Sequence, residues 1–132
     1  ELNKINIELA SRGIDKVIVW EATNTLGSSE TRLRNLLTDI SSSFGNAGKK
    51  VCIAETPNGV VGDSKYPHVT QAKVDAYNHI KKELFDDGVF DCFVASKNVA
   101  WNGGKLHGAT RATYDELYDL FIAAHGGVPV GS

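Results

Sequence analysis

Apolar side chains recur along this chain in two alternating rhythms. Residues 2–12 place Leu2, Ile5, Leu9 and Ala10 at helical spacing, and Gly13 stands where a helix C-terminal cap belongs. Lys16-Val17-Ile18-Val19-Trp20 follows, a continuous apolar run rich in β-branched residues, which suits a parallel strand covered on both faces. After the polar stretch Glu21–Ser28, Leu33, Leu36, Leu37, Ile40 and Phe44 give a second helix one apolar face, with Ser28 or Ser29 placed to cap it and Gly45–Gly48 to stop it. Lys50–Ala54 is a second strand pattern, and it leads into a long loop, Glu55–His68. Thr70 can cap a third helix built on Val74, Tyr77, Ile80, Leu84 and Phe85, which Gly88 ends. Val89–Ala95 reads as a third strand and Ser96–Thr110 as a glycine-rich loop. In the last helix Thr113 and Glu116 have capping-box spacing, and Leu117, Leu120, Phe121 and Ala124 face inward.

The order α-β-α-β-α-β-α predicts right-handed crossovers and a parallel sheet with helices on its faces. Three strands are few for such a sheet, and an unpaired strand exposes a row of backbone donors and acceptors. The pattern therefore predicts that an upstream segment or a second chain completes one sheet edge.

Length and charge narrow the picture. The 132 residues fit one domain, expected over 1–126, with 127–132 as a tail. The opening at Glu1 reads as a processing site or an engineered boundary, without a signal-peptide pattern. Net charge is −2, with Lys and Arg scattered, so neither nucleic acid nor a membrane is an expected partner. Cys52 and Cys92 both fall in apolar runs without framework spacing, and they read as two buried free thiols rather than a disulfide. No Cys/His spacing suggests a metal, and no Gly-x-Gly-x-x-Gly follows a strand, so no cofactor is expected.

Chemistry is expected in the three loops that follow strands, because all three leave the same end of a parallel sheet. Asn24 can donate an amide hydrogen bond to an oxyanion, Glu55 or Asn58 can contact substrate, and His107 can act as a general base. Trp101, Trp20 and Tyr66 suit stacking on sugar rings where exposed, although Trp20, at a strand end, reads as core. His79 falls on the polar side of its helix.

Three blocks in register carry a resemblance. A strand ending in Glu21-Ala22-Thr23-Asn24, a second ending in Ala54-Glu55-Thr56-Pro57-Asn58, and Asn102-Gly103-Gly104-Lys105-Leu106-His107-Gly108-Ala109-Thr110 before a helix with Tyr114 near its start resemble the SGNH (GDSL-type) hydrolases. The middle block is similar to the phage-associated and carbohydrate-esterase branch. The resemblance spans roughly residues 3 to 124 and implies a three-layer α/β/α flavodoxin-like sandwich. It also implies His107 as catalytic base, Asn24 in the oxyanion hole, and Glu55, Asn58, Trp101 and Asn102 at the substrate. The departures are specific. The family's serine block and its glycine block have no counterpart at strand ends here. Thr25 stands where the family has Asp, Gly104 where the histidine's acid belongs, and Gly108-Ala109 where a proline follows. Gly62-Asp63-Ser64 spells the nucleophile signature inside a polar loop, which leaves Ser64 as the outside candidate in a permuted arrangement.

Two functions are then expected. One is a fragment or subunit of an SGNH-like carbohydrate esterase, with the serine supplied from outside this sequence or lost. The other is a non-catalytic glycan-binding or oligomerisation domain of the phage tail-spike or tail-fibre kind. Either implies a glycan or acylated carbohydrate as partner and a soluble, extracellular or virion-associated protein.

Overall fold

The computed structural model describes residues 11–13, 15–20, 29–105 and 108–124. The first expected helix, Asn24, His107 and the tail lie outside the described residues, save for the end of that helix. A three-stranded parallel sheet forms from β1 (Lys16–Val19), β2 (Lys50–Ala54) and β3 (Cys92–Val94), in the order β1-β2-β3. Val17 lies beside Val51 and Ile18 beside Cys52, while Ile53 lies beside Phe93. Helices α1 (Glu30–Asn46) and α2 (Gln71–Asp86) cover one face, and α3 (Arg111–Ala124) covers the other. This is the expected α/β/α sandwich.

Strand alternation decides which side chains go to which face. Val17, Val19, Val51, Ile53 and Phe93 point to α1 and α2, where Leu33, Leu37, Tyr77, Ile80 and Leu84 complete the larger core. Ile18, Trp20, Cys52, Ala54, Cys92 and Val94 point to α3 and meet Leu117 and Phe121. The caps follow the sequence. Ser29 accepts from Arg32 N and Thr70 from Lys73 N, both at 3.2 Å. Helices α1 and α2 end alike: Gly48 and Gly88 take positive φ, and the next amide reaches back to Phe44 O or Leu84 O. That geometry is available to glycine without steric cost.

Three expectations need correction. The third strand is shorter than Val89–Ala95, because the chain is still leaving the α2 cap at Val89 and Phe90. At Asp91 both the amide and the carboxylate bond Val51, so pairing starts there and regular strand only at Cys92. Helix α3 begins at Arg111, two residues before the expected cap. The cysteines are not free thiols: Cys52 and Cys92 form a disulfide across the β2–β3 register, with Cα atoms 4.5 Å apart. Spacing along the chain gave no framework, but two cysteines 40 residues apart become neighbours once the strands pair.

Helices α1 and α2 are also joined at their surface. Arg34 donates to Glu83 at 2.5 Å, and His79 Nε2 lies 2.6 Å from the same carboxylate. The hydrogen bond from Arg34, with its charge and that of His79, holds the Glu83 carboxyl below its usual 4.5. His79 itself is 73% exposed, as its helical position predicts.

Two outcomes follow. Protein unfolded without reductant is expected to show no titratable thiol, and two after reduction. An NMR titration of Arg34→Ala is expected to move the Glu83 midpoint back up towards 4.5, since its largest cause is removed. The native bridge stabilises the fold above Glu83's unfolded value and is lost as pH falls through the depressed one.

Candidate functional site at the carboxyl end of the sheet

Strand β2 ends among backbone groups that the sheet no longer pairs, and side chains from three directions take them. Lys81 of α2 is fully buried and donates from Nζ to Ala54 O and to Thr56 Oγ1, each at 2.9 Å. The Asn78 amide brackets Thr56, accepting from its N at 2.7 Å and donating to its O at 3.0 Å. Glu55 O accepts from Ser96 Oγ at 2.7 Å and from Trp20 Nε1 at 3.2 Å. The loop thus leaves β2 on a fixed course. A 3-10 turn, Asn58–Val60, follows, and buried Val60 and Val69 tie the long loop to the main core.

Sequence reasoning missed Lys81 and Asn78. Both lie within the apolar stripe of α2, between Tyr77, Ile80 and Leu84, and polar residues inside such a stripe are the signal that was available.

The loops after β2 and β3 meet beside this strand end. Asn58 N donates to Lys97 O at 2.8 Å, and Asn58 Nδ2 donates to Asn98 Oδ1 at 3.0 Å. Gln71 Nε2 donates to Asn58 Oδ1 and to Asp75 Oδ1, both at 2.9 Å, which extends the amide chain onto α2. Ala100 is gripped from α3: its N donates to Glu116 Oε2 at 2.6 Å, and its O accepts from the Thr113 hydroxyl. Thr113 also accepts from Thr110 N at 2.9 Å, so the Thr113–Glu116 pair clamps the preceding loop and Thr113 sits inside the helix rather than at its cap.

Trp101 organises the glycine-rich loop. Its side chain lies against Gly59 and Gly108, where an added Cβ would come closer than 3.0 Å to the indole. Its Nε1 donates to Lys105 O, and Gly103 N closes the loop on Gly108 O at 2.9 Å. Trp20 meets Trp101 and Tyr114 edge-on, with centroids 6.0 and 5.8 Å away. Of these rings, Tyr114 is 56% exposed. It borders an apolar groove of about 310 Å³ that runs past Ile18, Leu117, Tyr118 and Phe121.

This packing fixes the backbone at Gly104 and Gly108. Gly104 has φ +136°, a conformation strained for any other L-residue, aspartate included. Gly108 has no room for the ring of a proline.

The expected site residues separate. Asn58 is joined to Asn98 at the loop junction, Trp101 packs against its neighbour Gly59, and Asn102 is exposed beside Trp101. Glu55 sits there with its backbone, but its side chain lines a different groove, on the α2 side. Ser64 is in an exposed turn shaped by Asp63, which accepts Tyr66 N at its O and Lys65 N at Oδ1. That turn neither follows a strand nor opens a helix. It does border the histidine loop, since a Cβ at Gly62 would touch the Lys105 stem at 3.7 Å. Tyr66 is 38% exposed and packs edge-on against His68, away from the Trp101 cluster's ring contacts. Among the described residues no group of three or more His, Cys, Asp or Glu is placed to hold a metal, and no helix is long and apolar enough to cross a membrane.

No family model, no curated protein and no solved structure matches the chain.

Gly59→Ala is expected to displace the Trp101 indole. Overpacking of this kind costs about 1–3 kcal/mol. Urea unfolding should show that loss together with a changed tryptophan emission.

Proposed function

We propose that this chain engages an acylated glycan at the carboxyl end of its sheet, as a fragment or subunit of an SGNH-like carbohydrate esterase whose nucleophilic serine comes from outside the 132 residues. The observation that carries this reading is the aromatic cluster Trp20–Trp101–Tyr114, set at the strand ends with Tyr114 open to solvent and the Asn58–Asn98 amides nearby. Flat apolar ring faces flanked by amide donors and acceptors are what a sugar ring needs. Asn24 and His107 take the oxyanion and base roles that the sequence resemblance implies. The outer edge of β1, beside the apolar groove at Ile18 and Tyr114, is the surface that a completing segment or second chain would cover. The disulfide suits an oxidising compartment and so an extracellular or virion-associated protein.

Gly104 favours the second reading, a glycan-binding or oligomerisation domain of the tail-spike or tail-fibre kind. The loop conformation there is one that an orienting aspartate would strain.

Both readings are tested on the chain itself, with an array of acetylated and deacetylated polysaccharides and an aryl acetate assay. The expected result is glycan binding without ester hydrolysis, and a Tyr114→Ala variant that binds about tenfold more weakly, the equivalent of one aromatic contact. Absence of binding to every glycan tested would overturn the recognition role. Hydrolysis by the chain alone, abolished in Ser64→Ala and in His107→Ala, would replace the external serine with the permuted arrangement.

A further inference from the structure

The Cys52–Cys92 bridge sits where one change of chemical state can move a helix. Residues 52 and 92 face each other across the β2–β3 register, with Cα atoms 4.5 Å apart. Both point to the α3 side, where they supply two of the six buried side chains of the smaller core. The others are Ala54, Val94, Leu117 and Phe121, so the two largest side chains of that set come from α3 itself. Neighbouring strands cannot move apart to make room, because the backbone hydrogen bonds between them fix their spacing. Volume added at the cysteines is therefore taken up by α3, which shares that core through Leu117 and Phe121.

Helix α3 also holds the glycine-rich loop. Glu116 Oε2 accepts from Ala100 N at 2.6 Å, and the Thr113 hydroxyl donates to Ala100 O. Thr113 and Glu116 stand one turn and one residue before Leu117. A shift at Leu117 thus reaches the Ala100 clamp within a single helical turn. Ala100 in turn precedes Trp101, whose indole lies so close to Gly59 that a Cβ there would collide with it.

We infer that the Cys52–Cys92 pair is a redox-sensitive device that sets the seating of α3 and, through Thr113 and Glu116, the position of the Trp101 loop. The reductant is a small thiol. Its thiolate attacks the Cys92 sulfur, the S–S bond breaks, and Cys52 leaves as a thiolate. A second reductant thiolate then displaces Cys92 from the mixed disulfide. The pair gains two electrons and two protons, and the two reductant molecules depart joined as one disulfide. Attack falls on Cys92 because it opens the outer strand β3 and keeps 7% of its surface exposed, whereas Cys52 is fully enclosed on the central strand. Two thiols at van der Waals separation take more room than one covalent bridge, and a close-packed core answers added volume by shifting its neighbours. The bridged state keeps Ala100 in the α3 clamp, and the dithiol state loosens it. The inference stands apart from glycan recognition, because it is read at the loop itself.

The test follows native amide hydrogen exchange and NMR shifts of the whole chain, oxidised and then equilibrated with increasing dithiothreitol. The pair is expected to be reduced with the fold retained. Exchange at Ala100 N should quicken about tenfold or more, as for a locally opened segment, and the Trp101 indole resonance should move with it. Leu37 and Ile80, in the helices of the opposite face, should keep their rates, and reoxidation should restore slow exchange at Ala100. Glu116 is exposed, so Glu116→Ala keeps the fold intact. In that variant Ala100 should exchange fast already in the bridged form and gain little on reduction. The inference is overturned if Ala100 exchanges equally in both states of the native chain. It is equally overturned if reduction quickens exchange throughout α1 and α2 as well, as loss of a purely structural bridge would. Resistance of the pair to every dithiothreitol concentration at which the chain stays folded overturns it too.

Discussion

The central strand must end somewhere, and its last backbone groups then have no neighbouring strand to pair with. Residues 54–56 face this at the carboxyl end of β2, deep between two helical layers, where water cannot substitute. The solution is a set of side chains that bond that backbone: Lys81 on Ala54, Asn78 on both sides of Thr56, and Ser96 and Trp20 on Glu55. A buried lysine is tolerated there because its ammonium has oxygen acceptors within 3 Å. The direction in which the following loop departs, and hence the position of Asn58 against the β3 loop, depends on this arrangement.

Trp101 is the second fixed point, and it explains why its loop is rich in glycine. The indole is sandwiched between two backbones, at Gly59 and Gly108, neither of which has room for a side chain. Gly104 supplies the positive φ that lets the chain turn over the ring towards its Lys105 O contact. Read as a string, those glycines look like flexibility. In the fold they are the condition for packing one large aromatic residue at the edge of the sheet, next to Trp20.

Two distinct surfaces emerge at the carboxyl end of the sheet. One is aromatic and amide-lined, centred on Trp101 and Tyr114. The other is a charged groove on the α2 side, lined by Glu55, Asp75, His79, Lys82 and Lys97. Strand alternation sends Trp20 to the α3 face and Glu55 to the α2 face, although the Trp20 indole donates to the Glu55 carbonyl, while Trp101 packs against the larger core on the α1–α2 side.

Much of this fold is legible in the order of residues alone. Apolar period, β-branched runs and punctuating glycines are local properties, and they sufficed for three strands, three described helices, the cap at Thr70, a first cap narrowed to Ser28 or Ser29, and stops at Gly45–Gly48 and Gly88. Covering the strands on both faces is likewise implied by their continuous apolar runs. Contacts between distant segments were not legible. The Cys52–Cys92 pair exists because β2 and β3 lie in register, the Thr113–Glu116 pair turned out to clamp Ala100, and the pleat turned the Glu55 side chain away from Trp20. Local sequence carries propensity and period, whereas partnership across 13, 35 or 40 residues is set only when the sheet closes and brings backbones within bonding distance.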